Sequence, residues 1–258
     1  MRVTYNKITV LDFYLDTDFN TVLNAFLNKN EPKPMPNSMG AAMIKGFNNW
    51  SRINALKEKW LNKNPFGDWS AHFMKNIVPQ KALYQDKFIV LSTKEYSGVF
   101  AEDLGLSICE WKQLSVQIRL AHECVHYFTH KYYGLMSNNM HDELIADYMG
   151  IRKAKGAFDL KWFLKFIGLE KYPMYRKGAR FENYLGNPPL SKAAFEMVRT
   201  IVKKAAKNIA AFDQKLACSS NESSVIRALC SMSLLEMACN GAEDTLYAEY
   251  KVIEENRS

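Results

Sequence analysis

The stretch that most constrains this chain is residues 118–150, which carries an H-E-x-x-H sequence and, downstream, an E-x-x-x-D sequence. His122 and His126 are four residues apart, so on a helix they share one face. Two imidazoles placed in this way can bind one zinc ion through their ring nitrogens. Glu123 is offset by one residue and can instead reach a water molecule at the metal, which suits a general base.

The motif needs a helix with an apolar side, and the flanking sequence predicts one over residues 110–133. Apolar residues recur there at spacings of three and four, and Gly134 is a typical C-terminal stop. A buried helix whose histidines are satisfied by hydrogen bonds is the alternative interpretation. The second acidic motif favours the metal site. The apolar positions are Trp111, Leu114, Ile118, Ala121, Val125 and Phe128.

A catalytic zinc site usually has three protein ligands, so a third must come from elsewhere in the chain. Glu143, near the start of a second predicted helix, is the main candidate, and His141 is a possible alternative ligand. Asp147 lies one turn beyond Glu143 and can accept the spare N–H of a zinc-bound histidine. His130 continues the histidine face, but it lies about 12 Å from His122 along the helix axis, too far for one ion.

The two motifs together resemble those of the gluzincin group of zinc metallopeptidases, in which a downstream glutamate completes the H-E-x-x-H site. The resemblance implies that His122, His126 and Glu143 are zinc ligands, that Glu123 is the catalytic base and that Asp147 supports a ligand. It also implies a zincin-like core. The longer sequence around both motifs is similar to bacterial proteins of uncharacterised function. The resemblance covers about thirty of the 258 residues.

Outside the motifs, the periodicity predicts an α+β protein that is mostly α, with a small sheet near its N-terminal half and a helical C-terminal region. The resemblance implies that the strand over 87–93 edges the cleft, where an extended peptide could pair with it. An interior sheet strand is the alternative. Predicted strands cover residues 3–15 and 87–93, and predicted helices cover residues 39–61, 161–169, 190–217, 221–239 and 242–256.

Length and composition predict one metallopeptidase domain over 1–258, with a candidate boundary near 157 and a C-terminal helical subdomain over 158–258. No apolar run is long enough to span a membrane. The net charge of +7 does not exclude a nucleic-acid partner. The basic residues are dispersed over helical segments, however, which favours a solvated surface. Five cysteines without a C-x-x-C pair favour free thiols and a cytoplasmic location.

These patterns predict a zinc-dependent peptidase that acts on a peptide or protein substrate, with Glu123 activating the attacking water. A non-catalytic binding or regulatory protein with a structural or degenerate zinc site is the alternative. A fourth ligand from His130, His141 or Cys124 would favour that alternative, because structural sites keep no open position. A peptidase also needs a donor for the oxyanion. The candidates are His141, Tyr148, Tyr172, Tyr175, Arg176, Arg180 and Tyr184.

Overall fold

The structure, a computed structural model, describes residues 8–28, 30–31, 33, 39–135 and 139–257. The chain divides into two compact units. One contains the described parts of Met1–Lys33 and Ala41–Leu91, and the other contains the described parts of Pro34–Gly40 and Ser92–Ser258. Position 157 lies inside the second unit, so the helices before and after it belong to one body. A single metallopeptidase domain stays a prediction.

The predicted class, α+β and mostly α, is confirmed, because the described chain is mostly helical with one small sheet. The zincin-like core stays a prediction. Its three strands have the order β1-β3-β2, and β2 pairs with β3 in antiparallel fashion. The strand predicted over 87–93 is therefore central among the described strands, which supports the interior alternative. The elements of the first unit are β1 (Thr9–Phe13), α1 (Asp16–Asn28), β2 (Ala41–Asn48), α2 (Trp50–Leu61), α3 (Trp69–His72) and β3 (Gln85–Ser92). The predicted strand residues before position 8 lie outside the described residues.

The single helix predicted over 39–61 is wrong, because its first part is strand β2. The apolar residues of this part fit a helical spacing, but their backbone pairs with β3 from Ala41 to Asn48. The register shifts between Lys45 and Phe47, where Gly46 has a φ of 94° that suits a bulge. The helix begins only after Asn49, whose side chain accepts a hydrogen bond from the backbone N–H of Arg52.

The second unit is built from helices around one apolar core. Its helices are α4 (Ile108–Tyr133), α5 (Met140–Lys155), α6 (Leu160–Ile167), α7 (Lys192–Lys215), α8 (Glu222–Cys230), α9 (Leu234–Met237) and α10 (Ala242–Glu255). The helix predicted over 221–239 is two helices, because Ser233 forms a capping box with Glu236 and starts α9. Among the described residues, every helix is too short or too polar to cross a membrane.

Helices α4 and α5 form the pair that carries both motifs, and the sequence sets where each begins and ends. Ser107 caps α4 by accepting the N–H of Glu110, and Gly134 ends it in the left-handed conformation. Asn139 caps α5 by accepting the N–H of Asp142. Because both helices bury apolar side chains in the same core, their facing sides are held together.

The close approach of α4 and α5 depends on Gly150. A Cβ atom at this position would lie 2.9 Å from the backbone oxygen of Ile118 and 2.9 Å from its Cγ2. A helical glycine usually gains about 0.5–1 kcal/mol when it is replaced by alanine. We expect Gly150→Ala instead to lower the free energy of unfolding by about 1–3 kcal/mol, as overpacked core substitutions do. Urea denaturation measures this, and a more stable variant would contradict the packing.

Candidate metal centre

Three potential ligands converge between α4 and α5. The Nε2 atoms of His122 and His126 are 3.1 Å apart. Glu143 sets its Oε2 atom 3.4 Å from Nε2 of His122 and its Oε1 atom 3.3 Å from Nε2 of His126. Two tetrahedral zinc ligands are about 3.3–3.5 Å apart, given zinc–ligand bonds of about 2.0–2.2 Å. The two carboxylate distances match this spacing and the histidine pair is slightly closer, so the three side chains can surround a single zinc-sized ion.

Local helical geometry explains why these side chains meet. His122 and His126 lie one turn apart on the buried side of α4, where they are 7% and 3% exposed. Glu143 is in the first turn of α5. Since α5 packs along α4, a residue near the start of α5 can lie across the histidine face. The sequence prediction named these three residues, and among the described residues they form the one group of three side chains found that could bind a metal ion.

Asp147 orients His122, as its spacing from Glu143 predicts. Its Oδ1 atom lies 2.9 Å from Nδ1 of His122, and its side chain is fully buried. A hydrogen bond at Nδ1 leaves Nε2 unprotonated and free to bind a metal. The hydroxyl of Tyr96 joins this contact, because it donates to Asp147 over 2.6 Å and lies 3.0 Å from Nδ1 of His122. Sequence reasoning missed Tyr96.

The segment that carries Tyr96 is fixed to α4 by buried hydrogen bonds. Ser115 accepts the backbone N–H of Tyr96 over 3.0 Å, and Trp111 donates its indole N–H to the carbonyl of Val99 over 2.7 Å. Arg119 donates to the carbonyls of Ser92 and Glu95 over 3.0 and 2.8 Å. The position of Tyr96 is thus set by polar residues of α4 that turn toward the core.

Arg180 brings a positive charge to the centre from the loop between α6 and α7. Its Nη2 atom donates to Oε2 of Glu143 over 2.9 Å, and its Nη1 atom donates to Oδ1 of Asp147 over 3.2 Å. The sequence analysis included Arg180 only as one of several candidate hydrogen-bond donors to the oxyanion. Ser97, whose hydroxyl accepts from Nη1 over 2.8 Å, was not considered.

The charges of the centre favour a cation. Burial would raise the pKa of Glu143, but His122, His126 and Arg180 outweigh it and hold the pKa well below its usual range. Burial likewise opposes ionisation of Asp147, but Arg180 and His122 lower its pKa. Both carboxylates are therefore ionised at neutral pH. Burial lowers the pKa of His122, but the adjacent Glu143 and Asp147 raise it overall, so protons compete with a metal for this side chain as the pH falls.

Glu123 follows His122 on α4, and its side chain is partly buried. Among the residues that the structure describes, its carboxylate has no hydrogen-bond or ion-pair partner. Its negative charge still acts on His122, where it favours the protonated form. An unpaired carboxylate beside the candidate ligands is available to accept a proton, which is what a general base requires.

The other candidate ligands lie away from the centre. The Nδ1 atom of His141 lies 3.9 Å from Oδ1 of Asp142, and its Nε2 atom is buried without a hydrogen-bond partner among the described residues. Neither it nor His130 belongs to the group of converging ligands. Cys124 is exposed and also lies outside that group.

Most of the candidate oxyanion donors are occupied elsewhere. Tyr148 donates to Asp213 over 2.5 Å in a buried pair between α5 and α7. Tyr172 contacts the hydroxyl of Thr200 over 3.0 Å, and Arg176 pairs with Glu170. Arg180 differs, because it donates directly to Glu143, and the negative charge of Glu143 also acts on Tyr184. Burial and the charge of Glu143 raise the pKa of Tyr184, so its phenol stays protonated and can donate a hydrogen bond.

Fold and site together define a mostly helical α+β protein with a candidate metal centre on two packed helices. The chain belongs to a family of unknown function, DUF7005, which matches residues 3–241. Comparison with curated proteins and with solved structures finds no match. The family match includes all residues of the candidate centre, from Tyr96 to Tyr184.

Proposed function

We propose that this protein is a zinc-dependent peptidase of gluzincin type, with His122, His126 and Glu143 as zinc ligands. The observation that carries the proposal is the convergence of two imidazole nitrogens, 3.1 Å apart, with one carboxylate whose oxygens lie 3.3 Å from Nε2 of His126 and 3.4 Å from Nε2 of His122. The hydrogen bond from His122 to Asp147 supports it, because catalytic zinc histidines are usually held in this way.

Zinc bound by these residues would act as a Lewis acid toward a substrate carbonyl and would make water a stronger nucleophile. Glu123 would take the proton of the attacking water and pass it to the leaving amine. Asp147 would keep His122 in the tautomer that binds the metal. Tyr184 is a candidate donor to the developing oxyanion, because burial and the charge of Glu143 raise the pKa of its phenol, which keeps its proton.

The centre favours a peptidase over a binding protein with a structural zinc site. A structural site has four protein ligands and no open position. Among the described residues, the converging group has three members, and none of His130, His141 and Cys124 joins it. A fourth position would then be left for substrate or solvent, as catalysis requires.

We also propose that the protein acts in the cytoplasm on peptide or protein substrates. All five cysteines are free thiols, which suits a reducing compartment. The basic charge is not needed for the proposed chemistry, so nucleic acid is not part of this proposal.

Metal removal tests the proposal. We expect the zinc-loaded protein to cleave members of a mixed peptide library, to lose that activity with a chelator, and to regain it when about one equivalent of zinc is returned. Mass spectrometry of the library before and after incubation identifies the cleaved bonds. A protein that binds zinc and cleaves no peptide or unfolded protein would overturn the peptidase assignment in favour of the binding alternative.

A further inference from the structure

Arg180 is held in one orientation by the residues that surround it. Its Nη1 atom donates to Ser97, Tyr96 and Asp147 over 2.8, 3.2 and 3.2 Å. Its Nη2 atom lies 2.9 Å from Oε2 of Glu143 and 3.2 Å from Oδ2 of Asp147. The side chain is only 11% exposed. A planar guanidinium with contacts on both nitrogens cannot turn away from Glu143 without breaking several of them.

Glu143 faces the histidines with both of its oxygens. Oε1 lies 3.3 Å from Nε2 of His126, and Oε2 lies 3.4 Å from Nε2 of His122. The carboxylate could therefore bind a metal through one oxygen or through both. Arg180 contacts only Oε2, so the two oxygens are not equivalent.

From this asymmetry we infer that Arg180 is a positioning residue that limits Glu143 to one-oxygen coordination and so keeps a position of the metal open. The inference rests on the proposed function, since it assumes that the centre binds zinc. Repulsion between the positive charge of Arg180 and a bound cation adds a second consequence of this arrangement. A guanidinium next to a ligand oxygen opposes the charge of a bound cation, so Arg180 weakens metal binding while it shapes the site.

The test compares zinc binding by Arg180→Gln and Arg180→Lys with that of the wild type. Glutamine removes the charge and frees Oε2, whereas a lysine ammonium can keep the contact with Glu143. Arg152→Gln is the matched control. The Arg152 side chain is also 11% exposed and pairs with a buried aspartate, Asp213. It donates to the hydroxyl of Tyr148 and belongs to a separate hydrogen-bond network from that of Arg180.

We expect Arg180→Gln to bind zinc roughly tenfold or more tightly, because the substitution removes a positive charge next to the bound cation. X-ray absorption at the zinc edge should then count five nitrogen and oxygen neighbours, against four in the wild type. Substituted cobalt should lose visible absorption intensity, as expected when a fifth ligand binds. Arg180→Lys should restore four neighbours, and Arg152→Gln should match the wild type in both measurements.

Two results would overturn the inference. If Arg180→Gln binds zinc more weakly with four neighbours, Arg180 only supports the fold of the loop. If it matches Arg152→Gln in affinity and neighbours, Arg180 has no role toward the metal. A wild-type protein that takes up no zinc would overturn the proposed function as well, so the two failures are distinguishable. Circular dichroism and thermal unfolding of all variants show whether each is folded.

Discussion

Glu123→Gln is expected to abolish peptide hydrolysis while the protein still binds one equivalent of zinc. Glu123 is adjacent to His122 on α4. Among the described residues, its carboxylate has no hydrogen-bond or ion-pair partner that would compete with a proton. Glutamine has nearly the same shape but cannot accept a proton from water. The loss of a positioned general base lowers kcat by roughly 10²–10⁴-fold. Peptide cleavage and elemental mass spectrometry on the same preparation measure both effects.

Glu110→Gln is the matched control for this variant. Glu110 is also a glutamate of α4, but it is exposed in the first turn of the helix, three turns before the histidines. We expect it to keep both zinc and activity. A Glu123→Gln protein that cleaves peptides as fast as the control would contradict the role of Glu123 as base, whatever its metal content.

The site residues that the sequence predicted fall into two pairs, and the members of each pair are close together in the sequence. His122 and His126 are one turn apart on α4, and Glu143 and Asp147 are one turn apart on α5. Helical periodicity alone places the members of each pair on one face. Only the packing of α4 against α5 had to be assumed, and the resemblance to gluzincins supplied it.

Tyr96 and Arg180 could not be found in this way, because their contacts join distant parts of the chain. They are 84 positions apart, and each begins a short 3-10 helix, one before α4 and the other after α6. Nothing in the residue pattern links either of them to a histidine. Their positions depend on polar anchors such as Ser115, whose hydroxyl fixes the backbone of Tyr96. Such anchors have no periodic signature.

The sheet shows a different limit of sequence reasoning. Residues 41–48 have apolar spacings that fit a helix, yet they pair with β3. Short apolar runs do not discriminate between helix and strand, and pairing with a neighbouring strand decides the outcome. The long helices α4 and α7 were predicted closely because a repeat over many residues is less ambiguous.

The second large effect is expected for Glu143→Ala, which should lose nearly all bound zinc. Glu143 is the only side chain of α5 that reaches both histidines, with its oxygens 3.4 and 3.3 Å from their Nε2 atoms. Outer partners of a metal site change affinity by about 10–100-fold when mutated, so a ligand should cost more than about 100-fold. Elemental mass spectrometry after dialysis, followed by competition with a chelator, measures the loss.

Asp142→Ala provides the control, because it removes a carboxylate from the same turn of α5 at a position outside the converging group. It should keep its zinc, and both variants should remain folded. Zinc retained by Glu143→Ala at wild-type affinity would show that Glu143 is not a ligand. His141 would then be the next candidate, although it lies outside the group of converging ligands and would have to move to join the two histidines. Asp147 contacts only Nδ1 of His122, and Glu143 is the α5 residue in the converging group, so we expect the alanine variant to lose the metal.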